Sequence, residues 1–279
     1  MKKKQVVYSN LQARRLRRLD IGELHQPKAN DADVLVSFTS IPSRFADVDL
    51  VVRSVLSQSV APARLVLWLN ERHVESLPPS LTAMLGPKFE IRYTPLDSCH
   101  CKLVPSLQAF PDQTIVTCDD DLMYRRHWLR TLLDTHRAAP RAVIAHIARM
   151  PAVDEQGRVK PYESWPKQKQ RGVSGHQLVQ MGYGGVLYPP GSLHADVGNA
   201  ALFMALTPRA DDLWFKFMAW LAGTPVMTAG EKIGRPREIV GSGAIRLKSI
   251  NVNQDFNRRQ WLDLCEHYGV DVIRLLAQA

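Results

Sequence analysis

Apolar positions in this chain fall into short runs separated by stripes of helical spacing. Val34–Ser40 (VLVSFTS) is an apolar run closed by polar residues and Pro42, the pattern of a buried strand. Asp47–Gln58 sets Val48, Val51, Val52, Val55 and Leu56 on one helical face. Arg64–Leu69 (RLVLWL) predicts a second buried strand, Leu81–Leu85 a short helix after Pro78-Pro79, and Phe89–Tyr93 a third strand. Leu103–Phe110 predicts a helix, Gln113–Cys118 a fourth strand, His127–Arg137 a helix and Ala142–Ile147 a fifth strand. This alternation implies an α/β fold, Rossmann-like, with a mainly parallel sheet flanked by helices.

Beyond residue 150 the alternation breaks. Pro151–Gly182 is polar and reads as a long insertion. Gly184–Tyr188 predicts a short strand and Asp211–Leu221 an amphipathic helix, with Leu213, Trp214, Phe217, Met218 and Leu221 on one face. Ile245–Val252 predicts a late strand and Asp255–Tyr268 a final helix. No linker divides the chain, so a single domain over residues 31–279 is expected behind an arm of residues 1–30.

Composition changes this picture in one respect. The 279 residues are 45% hydrophobic and 23% charged, a globular balance with no transmembrane run and no secretory leader pattern. Four cysteines do not make a disulfide scaffold and suit a reducing, cytoplasmic setting. The net charge of +9 is uneven: Lys2, Lys3, Lys4, Arg14, Arg15, Arg17 and Arg18 precede the first acid, Asp20. The rest is almost neutral. Such an arm suits an anionic membrane or nucleic acid, against the simpler account of a solvated, frayed terminus.

The sharpest chemical feature is Thr114-Ile115-Val116-Thr117-Cys118-Asp119-Asp120-Asp121, three carboxylates directly after an apolar strand. Ligands of open α/β sheets bind beyond the carboxyl ends of strands. Adjacent acids repel one another unless a cation is present, and Mg²⁺ or Mn²⁺ favours carboxylate and phosphate oxygens. If strand pitch persists, Asp119 and Asp121 share a direction and can face one metal–diphosphate. The competing account is a polar turn that caps the next helix. Arg44 and Lys102 are cations near strand ends, suited to a nucleotide or phosphate. Tyr183-Gly184-Gly185 offers close backbone approach and an aromatic wall, and Trp214 fits core packing better than sugar stacking.

Several segments in order resemble the nucleotide-sugar-dependent glycosyltransferases of the GT-A fold, most nearly small family-2-like bacterial enzymes of surface polysaccharide synthesis. They are Val34–Arg44 (VLVSFTSIPSR), Arg53–Pro62 (RSVLSQSVAP), Arg64–Asn70, Lys102-Leu103-Val104-Pro105, Asp119–Asp121 as the DxD motif, Gly184–Pro190 (GGVLYPP) and Ala210–Phe215 (ADDLWF). The match spans roughly residues 33–270. The resemblance implies metal ligation by Asp119 and Asp121, donor-nucleotide contacts from Arg44, Lys102, Asp119 and Asp120, and a catalytic base at Asp211 or Asp212. The implied donor is a nucleoside-diphosphate sugar, above all a UDP-sugar, used with Mn²⁺ or Mg²⁺. The implied acceptor is a glycan, a lipid-linked sugar or another hydroxyl, with possible peripheral contact at the inner membrane face and no nucleic acid partner. Arg258-Arg259-Gln260-Trp261 does not fit the Q-x-x-R-W of processive relatives, so transfer of one sugar is implied.

Asp211 and Asp212 also fit a helix first turn, where acids cap N–H groups and favour the dipole. Asp212 lies four residues before Lys216, an ion-pair spacing, which leaves Asp211 favoured as base. An in-line displacement needs the base across the cleft from the metal, with a sugar between them. Other classes lose on residues: there is no G-x-x-x-x-G-K-[ST], no G-x-S-x-G and no second ligand pair for Cys99-His100-Cys101. Asp119-x-Asp121-x-Met123 departs from the haloacid-dehalogenase pattern, and Thr39–Arg44 is not the Gly-rich loop of a nucleotidyltransferase. The remaining alternative is a non-catalytic protein that docks on nucleic acid or membrane through the arm.

Overall fold

The computed structural model describes residues 3–242 and 255–271. It opens on helices α1 (Lys3–Arg17) and α2 (Ile21–His25). The frayed-terminus account of the arm fails: Ser9 and Leu16 of α1 are buried, and Arg53 donates to the Leu16 and Leu19 carbonyls at 3.4 and 2.9 Å. Asp20 caps α2 by accepting from the Glu23 N–H at 2.9 Å.

The chain then alternates as its apolar pattern predicts: β1 (Ala32–Thr39), α3 (Val48–Leu56), β2 (Pro62–Asn70), α4 (Pro79–Thr82), β3 (Phe89–Thr94), α5 (Val104–Ala109) and β4 (Ile115–Thr117). β1 pairs in parallel with β2 and β4, and Val36 faces both Leu65 and Val116. Next come β5 (Leu122–Met123), α6 (Trp128–Ala138), β6 (Val143–Ala145), β7 (Ala148–Arg149), β8 (Ser174–Gly175), β9 (Val179–Gln180) and β10 (Val186–Tyr188). α7 (Ala200–Leu206), α8 (Asp211–Leu221), β11 (Val226–Thr228), β12 (Arg237–Glu238) and α9 (Phe256–His267) follow.

Eight strands make one sheet in the order β3-β2-β1-β4-β10-β6-β11-β8. β10 runs against β4 and β6, and β8 runs against β11, while the other six share a direction. The chain is thus an α/β domain on a mainly parallel sheet flanked by helices. The expected strand at Ile245–Val252 lies outside the described residues.

Alternation along each strand feeds two cores. Val34, Val36 and Phe38 of β1 join Leu65, Leu67 and Leu69 of β2 on the face covered by α3 and α6. Leu35, Val66 and Trp68 point to the other face, toward Trp214 and Phe217 of α8 and Trp261 of α9. Burial on both faces is why these strands read as continuous apolar runs.

Candidate functional site

β4 ends at Thr117, and the acids occupy the turn beyond its carboxyl end. That turn is fixed by its backbone. The Asp119 N–H donates to the Tyr124 hydroxyl at 2.8 Å, and the Tyr124 N–H donates to Ser54 Oγ at 3.1 Å. β5 pairs with β12, and the Ile239 N–H reaches the Asp121 carbonyl at 2.9 Å. Strand pitch does not persist through the turn, so the expected common direction of Asp119 and Asp121 is not seen. Asp119 turns to Lys102, while Asp120 and Asp121 turn to Arg44.

Arg44 stands on the short 3-10 helix at Pro42–Asp47 that follows β1. One guanidinium nitrogen pairs with Asp120 and the other lies 3.4 Å from Asp121. Ser40 Oγ donates to the second Asp120 oxygen at 2.5 Å. Burial pushes the Asp120 carboxyl up, and Arg44 and Ser40 oppose that push.

Lys102 ends a second 3-10 turn, Cys99–Lys102, ahead of α5. Its ammonium lies 2.9 Å from Asp119 Oδ1 and 2.8 Å from Asp211 Oδ2. Burial works against this charge, but Asp119, Asp211 and Asp212 outweigh it and hold the ammonium well above its ordinary range. The two acidic segments are therefore bridged by one nitrogen. The expected sugar-wide gap between Asp119 and Asp211 is not present.

Asp211 and Asp212 begin α8, but neither caps it; the N-cap is Ala210, with no side-chain cap bond. Asp212 instead accepts the Gly182 N–H on both oxygens, at 2.9 and 3.0 Å. Burial, then the neighbouring Asp211 charge, raise the Asp212 carboxyl to about 7. The expected Asp212–Lys216 pair does not form. Asp212 is turned to Gly182, and Lys216 Nζ is buried without a hydrogen-bond partner among the described residues. Burial alone lowers that amine to about 7.

Gly182 is a site residue the sequence did not single out. A Cβ there would meet Asp212 Oδ1 at 2.7 Å and Lys102 Nζ at 2.8 Å, so only glycine lets the backbone reach this charge cluster. Its neighbours in Gly182-Tyr183-Gly184-Gly185 carried the signal. Gly185 has φ 94°, and its missing Cβ makes room for Trp128, whose Nε1 donates to the Gly184 carbonyl at 2.8 Å. Trp214 is fully buried and donates to the Val197 carbonyl at 3.1 Å, a core role. His100 stacks on Phe203 at 4.2 Å and burial lowers it to about 4, so the Cys99–Cys101 segment is packing.

Five carboxylates, Asp119, Asp120, Asp121, Asp211 and Asp212, thus gather around two cations, Arg44 and Lys102. The surplus is negative, and a diphosphate entering it needs a further cation. No three ligating side chains converge on one point among the described residues. Asp119 and Asp121 keep 27% and 21% of their side chains exposed, so both present a carboxylate edge to solvent, where a metal that brings phosphate ligands with it would approach. The donor set fits a hard cation held by one or two carboxylates plus phosphate, and does not fit a cage built by the chain alone.

No known protein family and no curated protein sequence matches the chain. Among solved structures it is similar to a CMP:2-keto-3-deoxy-manno-octonic acid synthetase complexed with CTP, at 14% identity and TM-score 0.44 over 71% of this chain and 88% of that one. It is also similar to a 4-diphosphocytidyl-2C-methyl-D-erythritol synthase from Anaerococcus prevotii DSM 20548, at 11% identity and TM-score 0.46 over 84% of this chain and 96% of that one. Among the described residues no helix is long and apolar enough to cross a membrane.

Proposed function

We propose that the chain is a glycosyltransferase that moves one sugar from a nucleoside-diphosphate donor, a UDP-sugar first, to a hydroxyl of a glycan or lipid-linked acceptor. The observation that supports this is the gathering of five carboxylates around the buried Lys102 and the half-buried Arg44 beyond the carboxyl ends of β1 and β4. The residues divide the work. Arg44, fixed by Asp120, whose second oxygen is held by Ser40, faces the nucleotide side. Asp119 and Asp121 would hold Mg²⁺ or Mn²⁺, which would supply positive charge for the departing diphosphate. Lys102 keeps Asp119 and Asp211 in place and lends a second positive charge.

Asp212 is the base in this reading, rather than Asp211. Asp211 is ion-paired with Lys102, whereas among the described residues Asp212 accepts the Gly182 N–H and titrates near 7. Asp212 takes the proton of the acceptor hydroxyl as that oxygen bonds to the anomeric carbon. The bond from that carbon to the diphosphate oxygen breaks, and the nucleoside diphosphate leaves with its electron pair.

Thermal shift with UDP, GDP and CTP, with and without Mn²⁺, tests the donor. Stabilisation by UDP or GDP only with metal, about 2.7 kcal/mol at a hundredfold excess over Kd, is expected. Asp121→Asn should abolish both the metal-dependent shift and sugar release from a UDP- or GDP-sugar. Stabilisation by CTP alone, with incorporation of CMP into a sugar acid, would replace this reading with nucleotidyl transfer.

A further inference from the structure

The inner face of α1 lies on the domain, with Ser9 and Leu16 buried. The outer face is unusual for a solvated helix. Val7 and Leu11, one turn apart, are 57% and 54% exposed and form an apolar ridge. Lys4, Arg14, Arg15 and Arg18 flank it, all exposed and in no ion pair among the described residues. Arg17, on the side of the helix, is different, with Asp47 at 2.8 Å. No acid precedes Asp20, so nothing on the helix offsets those charges.

We propose that this outer face of α1 docks on an anionic lipid bilayer, with Val7 and Leu11 entering the headgroup–acyl boundary and the cations lying against lipid phosphates. Charge complementarity selects the partner class, and the ridge selects within it. A nucleic acid backbone rewards the cations alone and leaves Val7 and Leu11 in water. A bilayer surface takes both. The position of the helix gives the docking a consequence. Ser9 Oγ donates to the Glu238 carbonyl at 2.7 Å. Glu238 pairs across the ladder with Leu122, and the next residue, Ile239, bonds the Asp121 carbonyl. The docked helix is thereby fixed to the strand pair that carries the end of the acidic triad, which places the candidate site close to the lipid surface.

Vesicle sedimentation of the full chain tests this without reference to any transfer activity, so its outcome is independent of the donor assays. The probes are vesicles of phosphatidylcholine alone and of phosphatidylcholine mixed with phosphatidylglycerol, plus a duplex oligonucleotide. The chain should bind the mixed vesicles at low salt and not the neutral ones. Arg14→Gln with Arg15→Gln should weaken that binding about fivefold per charge removed. Val7→Ser with Leu11→Ser should weaken it at least as much, with an unchanged melting temperature because neither side chain is packed in the fold. Equal binding to neutral and anionic vesicles would overturn the proposal. So would full binding by the serine variant, or an oligonucleotide held more tightly than the mixed vesicles.

Discussion

Asp212 owes its character to two features, burial beside Asp211 and a hydrogen bond from Gly182. In the folded chain it keeps its proton up to about 7, whereas an unfolded aspartate releases it near ~3.9. The native state therefore binds the extra proton between those values. The contribution of Asp212 to stability falls as pH rises from about 4 to 7 and is least favourable above 7. Asp212→Asn should flatten that part of the stability profile in urea titrations. It should also remove turnover, and with it an ascending limb near pH 7 in kcat/KM; normal turnover by this variant would exclude the base role. Lys216 shows what spacing alone cannot tell. Four residues from Asp212, it has the separation of a helical ion pair, yet the aspartate is drawn to Gly182 and the amine is left buried with no hydrogen-bond partner among the described residues. The folded chain gives up that proton near 7 rather than near ~10.4, a cost on the order of 3 kcal/mol at pH 8. Lys216→Met should relieve it and raise the melting temperature by several degrees, most clearly below pH 8. The acids themselves were legible in the sequence; their partners were not, because Lys102 and Gly182 meet them only through the fold.

Elements with a strong period could be read directly. β1 and β2 are buried on both faces, β3 alternates with Phe89, Ile91 and Tyr93 turned to one core, and α3 and α8 carry a clear apolar stripe, so their residues announced them. β10 is three residues long and enters the sheet antiparallel between β4 and β6, a placement set by neighbours far away in sequence. α1 carries no legible helical stripe, because its buried residues are Ser9 and Leu16, too thin a pattern to stand out among the cations. The turn Gly182–Gly184 was visible as glycines without its purpose. That purpose is now testable. Gly182→Ala would place a methyl group 2.7 Å from Asp212 Oδ1 and 2.8 Å from Lys102 Nζ. Lys102 is buried and held by Asp119 and Asp211, and the Asp212 carboxylate is bound to the Gly182 N–H itself, so the turn must shift and the Asp212 bond must lengthen. The cost should be about 1–3 kcal/mol in denaturant midpoint, together with a lowered kcat; wild-type behaviour in both would mean that the turn yields freely.

At the scale of the whole molecule, charge and fold are divided between two parts that turn out to be joined. The sequence separates a cationic arm from an almost neutral domain, and that contrast is real in composition. The arm is nevertheless part of the folded body. Leu16 and Leu24 belong to the same core as α3 and the inner strands, Ser9 bonds Glu238, and Arg53 is satisfied by the carbonyls of Leu16 and Leu19. Composition could not reveal this, since the contacts are made by a few residues whose partners lie elsewhere in the chain. Removing residues 1–18 should therefore do more than discharge a surface. Loss of Leu16 burial removes about 1.5–3 kcal/mol. Loss of the Leu16 carbonyl leaves Arg53, otherwise held by Leu19 and Asp49, with fewer partners in a buried position, which costs about 1–3 kcal/mol more. A drop of roughly 10 °C in melting temperature is expected, at about 2–4 °C per kcal/mol for a chain of this size. The outward variants of α1 provide the control, because they alter the same helix and touch no core residue. If the truncated chain melts where the intact one does, the arm is an appendage after all, and its helix contributes nothing to the domain.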